Sequence, residues 1–463
     1  MEPLTSAGAA AGDADRSPDR SSDRQRSSGA ALRMTAAERA SGLWLSLLSG
    51  SRMLGLFLIL PVFAVHAATM PGGADPMRIG LALGIYGLTQ ALLQIPFGVA
   101  SDRFGRKPVI TAGLLLMAVG SWVAAQAQTL DGLTVGRALQ GAGAVSAAIT
   151  ALLADNTRDS QRSKAMAMVG AMIGVSFALS LVLAPALYRY VGLSGLFDLT
   201  AAIALLGIVI LWWRVPDPPA AMAPVTAAAG ANAATGTTAA TGTMAAAGTM
   251  AAPRRRSIVD RMASSDPGSA RATVLDPDLL RLNAGIFSLH LVQMALFVVV
   301  PGMLVAAADL PLPQHWKVYL PVLVLSFVVV VPLLVRAERL GTVRQLFVAA
   351  IVVSILALVG YAALTPTLVI QFGLLLLFFV GFNLLEALLP SLVSRLAPLS
   401  QRGLALGVYN TTLALGLFCG GVVGGLLSRI WGGGAVFLFA AALMAAWLLI
   451  ALGQKRWPAR DCD

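Results

Sequence analysis

Twelve apolar runs, each long enough to cross a bilayer as a helix, recur at 42–68, 79–101, 108–127, 132–154, 165–187, 193–214, 280–306, 316–335, 343–363, 367–393, 403–427 and 433–453. In hydrocarbon every backbone polar group must be satisfied within its own segment, so runs of this kind become helices. The expected fold class is an all-α membrane protein with twelve transmembrane helices in two six-helix bundles. Composition agrees, since 57% of the residues are apolar and 12% charged, about half the charged share of a water-soluble domain. A soluble enzyme and a disordered scaffold are both excluded.

The remaining sequence divides the chain. Residues 1–40 are rich in Ser, Arg, Asp and Ala and hold no apolar core of a signal peptide, which predicts a disordered tail. Six runs fall within 41–215 and six within 279–454, with a short second tail at 455–463. The stretch between them, 216–278, is Ala, Thr, Gly and Pro in its first half and carries Arg254, Arg255, Arg256, Arg261 and Arg271 in its second, the composition of a flexible linker.

Orientation follows from the short loops, where Lys and Arg mark the cytoplasmic side. Loops 102–107, 155–164, 336–344 and 395–402 together hold eleven cations, whereas the other side holds only Arg78, Arg189, Lys317 and Arg429. Both termini and the linker are therefore predicted to be cytoplasmic, in a cell inner membrane. The same distribution accounts for the net charge of +11 without a nucleic-acid partner. The two cysteines, Cys419 and Cys462, cannot form a disulfide framework or a four-ligand metal site.

The two halves repeat. Ser101-Asp102-Arg103-Phe104-Gly105 after run 2 is echoed by Ala337-Glu338-Arg339-Leu340-Gly341 after run 8, at an offset of 236. Ser160-Gln161-Arg162 after run 4 is echoed by Ser400-Gln401-Arg402 after run 10, at an offset of 240. Parallel duplicates of this kind place a binding site between the halves near the midplane.

The stretch Gly98-Val-Ala-Ser-Asp102-Arg103-Phe-Gly105-Arg106-Lys107-Pro108 resembles the loop 2–3 signature of the major facilitator superfamily at every defined position. Arg137-Ala-Leu-Gln140-Gly141-Ala-Gly143 is similar to that family's span 4 motif. Arg52-Met-Leu-Gly55 through Pro61, and Glu386-Ala-Leu-Leu-Pro390-Ser391 through Arg395, resemble the YajR-type branch of bacterial proton-driven exporters. The resemblance implies a secondary active transporter working by alternating access, driven by the proton gradient with no cofactor, acting as a monomer on a small-molecule substrate. It also implies that Asp102 meets the start of span 11 near Arg402 and holds the cytoplasmic side closed, with Glu338 and Arg339 as the second-half gate. One departure keeps uptake by symport open as an alternative to export. The antiporter signature of span 5 expects Gly-Pro and a Gly pair after its leading glycines, whereas Gly170 and Gly174 are followed by Val175, Ser176, Phe177, Ala178 and Leu179. Those two glycines, four apart, are expected to bring helices together. A non-transporting membrane sensor is a more remote alternative, and the paired carboxylates, HExxH or GxSxG of an intramembrane enzyme are not found.

Ionisable groups inside the spans are the functional candidates, because each is costly in hydrocarbon. Glu386 precedes Arg395 by nine residues, which puts it roughly 13 Å from the cytoplasmic end at about 1.5 Å per residue. His290, about ten residues into span 7, reaches a similar depth, and Gln293 and Asn383 add polar groups about one turn away on the same faces. Burial disfavours the charged form of a carboxyl group and a nearby cation favours it, so Glu386 could take a proton from one side and release it to the other. His290 and Arg137 are the further proton-coupling candidates. Arg52, Tyr86, Gln90, Gln94 and Gln140 are expected to line the cavity of the first half, with Arg137 able to snorkel outward. The arginines favour an anionic substrate and Glu386 a cationic one, so the sequence leaves the substrate class open.

Overall fold

The structure, a computed structural model, describes residues 34–143, 145–158, 161–216, 267–365, 367–398 and 401–457. Most of the first tail, most of the expected linker and the last six residues lie outside the described residues. Those described form helices without a strand.

Span 1 is built from Ala36–Phe57 and Leu60–Ala67. Span 2 is Pro76–Phe104, span 3 Arg106–Ala125, and span 4 Leu130–Ala142 followed by Ser146–Asp155. Spans 5 and 6 are one stretch, Arg162–Arg214, that bends at Gly192 (φ 63°, ψ −170°). In the second half span 7 is Pro277–Ala308, span 8 Trp316–Leu340, span 9 Val343–Ala363, span 10 Leu368–Leu396, span 11 Arg402–Trp431 and span 12 Gly433–Leu452. The twelve runs thus become twelve spans, several extending one or two turns past the apolar run because terminal charged side chains reach outward along the helix. One expectation is corrected. The end of the segment read as flexible linker folds into a helix, Pro267–Val274, which packs on span 11 and buries Thr273.

Local chemistry sets the helix ends. Thr35 and Glu38 form a capping box at the start of span 1, with Thr35 N donating to Glu38 at 2.8 Å and Glu38 N donating to Thr35 Oγ1 at 3.2 Å. Asp75 and Asp276 cap spans 2 and 7, each followed by Pro at the first helical position, where its missing N–H costs nothing. Gly105 (φ 94°) and Gly341 (φ 71°), the glycines of the two repeated loops, make the tight turns between spans 2 and 3 and between spans 8 and 9. Side chains rarely adopt that backbone, which explains the same residue at both repeat positions.

Packing repeats as the sequence does. In the first half span 1 lies on the span 5–6 helix, span 3 on spans 4 and 6, and span 2 on span 4. In the second half span 7 lies on spans 11 and 12, span 9 on spans 10 and 12, and span 8 on span 10. Between the halves span 2 meets span 11 and span 5 meets span 8.

The loops carrying most of the short-loop cations share one end of the bundle, here called the basic end. At the opposite end spans 2 and 11 touch backbone to backbone, Gly80 and Gly84 against Gly421, Gly84 also against Phe418, and Gly87 against Ala414. Small residues permit this approach where lipid supplies no hydrophobic drive. Asp75 and Arg429 form an ion pair at 3.2 Å across the same seam. Toward the basic end, Gly403 and Gly407 of span 11 and Gly170 and Gly174 of span 5 have nothing within 4 Å of where a Cβ would stand. The halves therefore close at the opposite end and part at the basic end. Gly170 and Gly174, expected to bring helices together, open space in this conformation.

Candidate functional site

The first half holds a buried polar network centred on Tyr86. Arg52 of span 1 is 3% exposed, and its guanidinium donates to Tyr86 Oη at 3.1 Å and to Ser146 Oγ of span 4 at 2.6 Å. Arg137 of span 4 is 0% exposed, and donates to Gln140 Oε1 at 2.7 Å and to the Leu83 carbonyl at 3.2 Å. It lies 5.0 Å from the Tyr86 ring centroid and 6.0 Å from that of Phe63, positions where a ring face attracts a cation. Gln140 passes the chain on by donating to Ser121 Oγ of span 3 at 2.9 Å. Two expectations change. Arg137 does not snorkel, because neighbouring acceptors inside the half hold it. Arg52, Tyr86, Gln90, Gln94 and Gln140, expected to line a cavity, are all buried, and the Oε1 of Gln90 and that of Gln94 have no hydrogen-bond partner among the described residues.

The second half brings together the residues that the sequence placed at one depth. Glu386 of span 10 has its carboxylate 3.7 Å from His290 Nε2 of span 7. His290 is buried, its Nδ1 is 3.2 Å from the Ile286 carbonyl, and its ring lies 6.0 Å from that of Phe382. Asn383 is tied down, donating to Ser326 Oγ of span 8 at 3.0 Å. Gln293 is buried with its Oε1 unpartnered among the described residues. Tyr409 of span 11, which sequence reasoning missed, is buried within electrostatic reach of Glu386, with its hydroxyl likewise unpartnered. The signal available was a Tyr409-Asn410 polar pair inside an apolar run.

Glu386 faces the cleft. Phe382, one turn earlier, touches Phe177 of span 5 across the two halves, with ring centroids 5.8 Å apart, and residues four apart on a helix share a face. Phe379 joins the same contact at 6.1 Å. These rings roof the cleft, and Glu386 lies one turn below them toward the basic end, with its side chain 37% exposed.

At the basic end, Asp102 pairs with Arg106 at 2.5 Å and Arg106 with Asp155 of span 4 at 3.0 Å. Arg106 also donates to Ser101 Oγ at 2.7 Å. Arg103 stacks over Phe104, Lys107 is buried over the Trp212 ring, and Gly98 faces Ala147. The second half carries a charge-swapped version. Glu338, the counterpart of Asp102, sits 3.8 Å from Arg395, which occupies the repeat position of Asp155. Arg395 is thus a partner of Glu338 that the sequence reading did not pair with it. A second acid also recurs at the offset of 240: Glu38 of span 1 holds Arg158 of loop 4–5 at 2.8 Å, raising the arginine's pKa above its usual value through their hydrogen bond. The repeat position of Arg158 is Pro398, so Asp278, the counterpart of Glu38, instead takes Arg456 from beyond span 12 at 2.7 Å, together with Arg281.

Two parallel six-helix halves, a cleft open at one end and a carboxylate at its midpoint are the layout of a carrier. The sequence pattern of the Major Facilitator Superfamily matches residues 45–416. The chain belongs to that family. It is 39% identical to the inner membrane transport protein YajR of Escherichia coli (strain K12) over 92% of this chain and 86% of that protein. An uncharacterized transporter, BU466, of Buchnera aphidicola is 28% identical over 80% of this chain and 85% of its own length. Among solved structures, a bacterial homolog of the human lysosomal transporter Spinster, in an inward-facing and occupied conformation, superposes with a TM-score of 0.65 at 12% identity, covering 92% of this chain and all of that one. The human organic anion transporter MFSD10 superposes with a TM-score of 0.62 at 18% identity, covering 90% of this chain. The protein is a membrane-spanning transporter of the YajR type and not an enzyme.

Proposed function

We propose that the protein is a proton-coupled exporter of small molecules in a bacterial inner membrane, working as a monomer without a cofactor. The observation that carries this reading is Glu386: a carboxylate at mid-span, 37% exposed in an open cleft and 3.7 Å from His290. A carboxylic acid so placed binds a proton when the cleft faces the acidic side and releases it when substrate or the other compartment competes. His290 positions the carboxylate and can share its proton. Arg52 and Arg137 form the rigid counterpart in the first half.

The basic end is read as cytoplasmic by the loop-cation rule, so this conformation faces inward. Closing it brings the start of span 11 toward Asp102, whose carboxylate then exchanges part of its pairing with Arg106 for a helix N-terminus. Glu338 and Arg395 act alike in the second half. Two similarities support this reading: the Escherichia coli relative, named an inner membrane transport protein, supports the inner-membrane location, and a stretch of 91 residues that is 37% identical to the multidrug resistance protein MdtH of Yersinia enterocolitica supports export.

The direction is tested in inside-out membrane vesicles energised by respiration. Accumulation of substrate that a protonophore abolishes is expected, whereas accumulation only in right-side-out vesicles would replace export by uptake.

A further inference from the structure

The sequence alone sets two arginines against one glutamate and leaves the sign of the substrate undecided. Accessibility separates them. Arg52 is 3% exposed and Arg137 is 0% exposed, and their guanidinium groups already donate to Tyr86, Ser146, Gln140 and the Leu83 carbonyl, while Arg137 Nε, without a partner among the described residues, is shut away from the cleft. An anion could reach either only by opening that buried network and leaving its acceptors unpaired. The Glu386 side chain is 37% exposed, and its Oε2, turned inward on the His290 side, is shielded and has no hydrogen-bond partner among the described residues. The other carboxylates described lie within about two turns of a span end.

The surroundings of Glu386 add shape to charge. Phe177 and Phe382 meet across the halves immediately above it. Gly174 lies three residues before Phe177 on span 5, and Glu386 four residues after Phe382 on span 10, both on the side toward the basic end. The two therefore face each other across the cleft at one level, and Gly174 has nothing within 4 Å of where a Cβ would stand. A carboxylate, an aromatic roof and an empty wall form a place for a flat apolar group with one positive charge beneath it.

We propose that the substrates are monovalent amphiphilic organic cations, aromatic amines in particular, with the ammonium group on Glu386 and the ring under Phe177 and Phe382. Glu386 is the one carboxylate at this depth of the cleft among the described residues, which sets the charge at one. This rests on the transport reading above but assigns the substrate class independently of coupling.

Binding to the purified full-length protein is measured by titration calorimetry at physiological ionic strength, where the arginines at the mouth are screened beyond about 8 Å. A pH just above neutral keeps carboxylates ionised and the amine probe protonated. The probes share one ring system: 1-naphthylmethylammonium, neutral 1-naphthylmethanol and 1-naphthalenesulfonate. The cation is expected to bind at least tenfold tighter than the neutral probe, about 1.4 kcal/mol. Glu386→Gln should erase that difference, and Glu386→Asp, which keeps the carboxylate, should restore part of it with an unchanged melting temperature. Cation binding no tighter than that of the neutral probe, or preference for the sulfonate lost in Arg52→Lys, overturns the proposal. Proton movement driven by the sulfonate in proteoliposomes would overturn the cation class and leave coupling standing. Glu386-dependent cation binding without any proton movement would overturn coupling and leave the cation class standing.

Discussion

Gly421 of span 11 lies at the seam where the halves touch, and a methyl group added there would overlap the carbonyl oxygen of Gly80 on span 2. Gly421→Ala therefore forces the two helices apart at the closed end. One methyl group forced into a close-packed contact costs about 1–3 kcal/mol. That cost falls on the conformation closed there and not on one in which the seam has parted, so the balance between them shifts roughly 5- to 150-fold. Gly420→Ala is the control, because its methyl group would overlap the Leu291 carbonyl of span 7, inside the second half. That change strains both conformations alike and should lower the melting temperature without moving the balance. The assay is the distance distribution between nitroxide labels at Leu81 and Ile430, both exposed near the closed end, in a cysteine-free background. A longer-distance population is expected in Gly421→Ala. An unchanged distribution, or an equal shift in Gly420→Ala, would refute the view that this seam is the moving contact.

Three further outcomes follow from the same geometry. Arg137→Gln leaves Gln140 and the Leu83 carbonyl without their donor in a buried network, each worth about 1–3 kcal/mol, so thermal unfolding in detergent should show a clear loss of stability; lost transport with an unchanged melting temperature would instead mark Arg137 as a direct participant. Arg429→Gln breaks an ion pair whose arginine is more than half exposed, so the Leu81–Ile430 distances should change far less than in Gly421→Ala, by an equilibrium effect under about 1 kcal/mol that vanishes at high salt. Asp278→Ala removes the acceptor shared by Arg281, Arg456 and the Lys455 amide, and limited proteolysis should then release the residues after span 12 faster than in the parent protein.

The sequence shows the spans clearly because apolar length is a direct consequence of the solvent. It also shows the duplication, and the depth arithmetic that brings Glu386 to His290. Other features depend on information that no single run carries. Which acceptors take the Arg52 and Arg137 guanidinium groups is decided by packing among spans 1, 2, 3 and 4, so a snorkelling arginine and a buried one look alike in the sequence. Gly170 and Gly174 look like packing glycines, but whether they meet a helix depends on which end of the cleft is open. Glu338 lies beside Arg339 in the chain and is paired with Arg395 in space, because adjacent residues on a helix point in different directions. Tyr409 carries no charge and follows no motif, and only the approach of span 11 to span 10 brings it near the carboxylate.

The central claim is that Glu386 exchanges a proton with the substrate inside a cleft that opens alternately. It is tested most directly by pH-dye fluorescence in proteoliposomes with an imposed pH gradient, comparing wild type with Glu386→Gln while aromatic amines are added. Amine-dependent proton movement in the wild type that is absent from the variant is the expected result. Equal proton movement in both proteins would contradict the account, because it would make Glu386 a structural group and place coupling elsewhere.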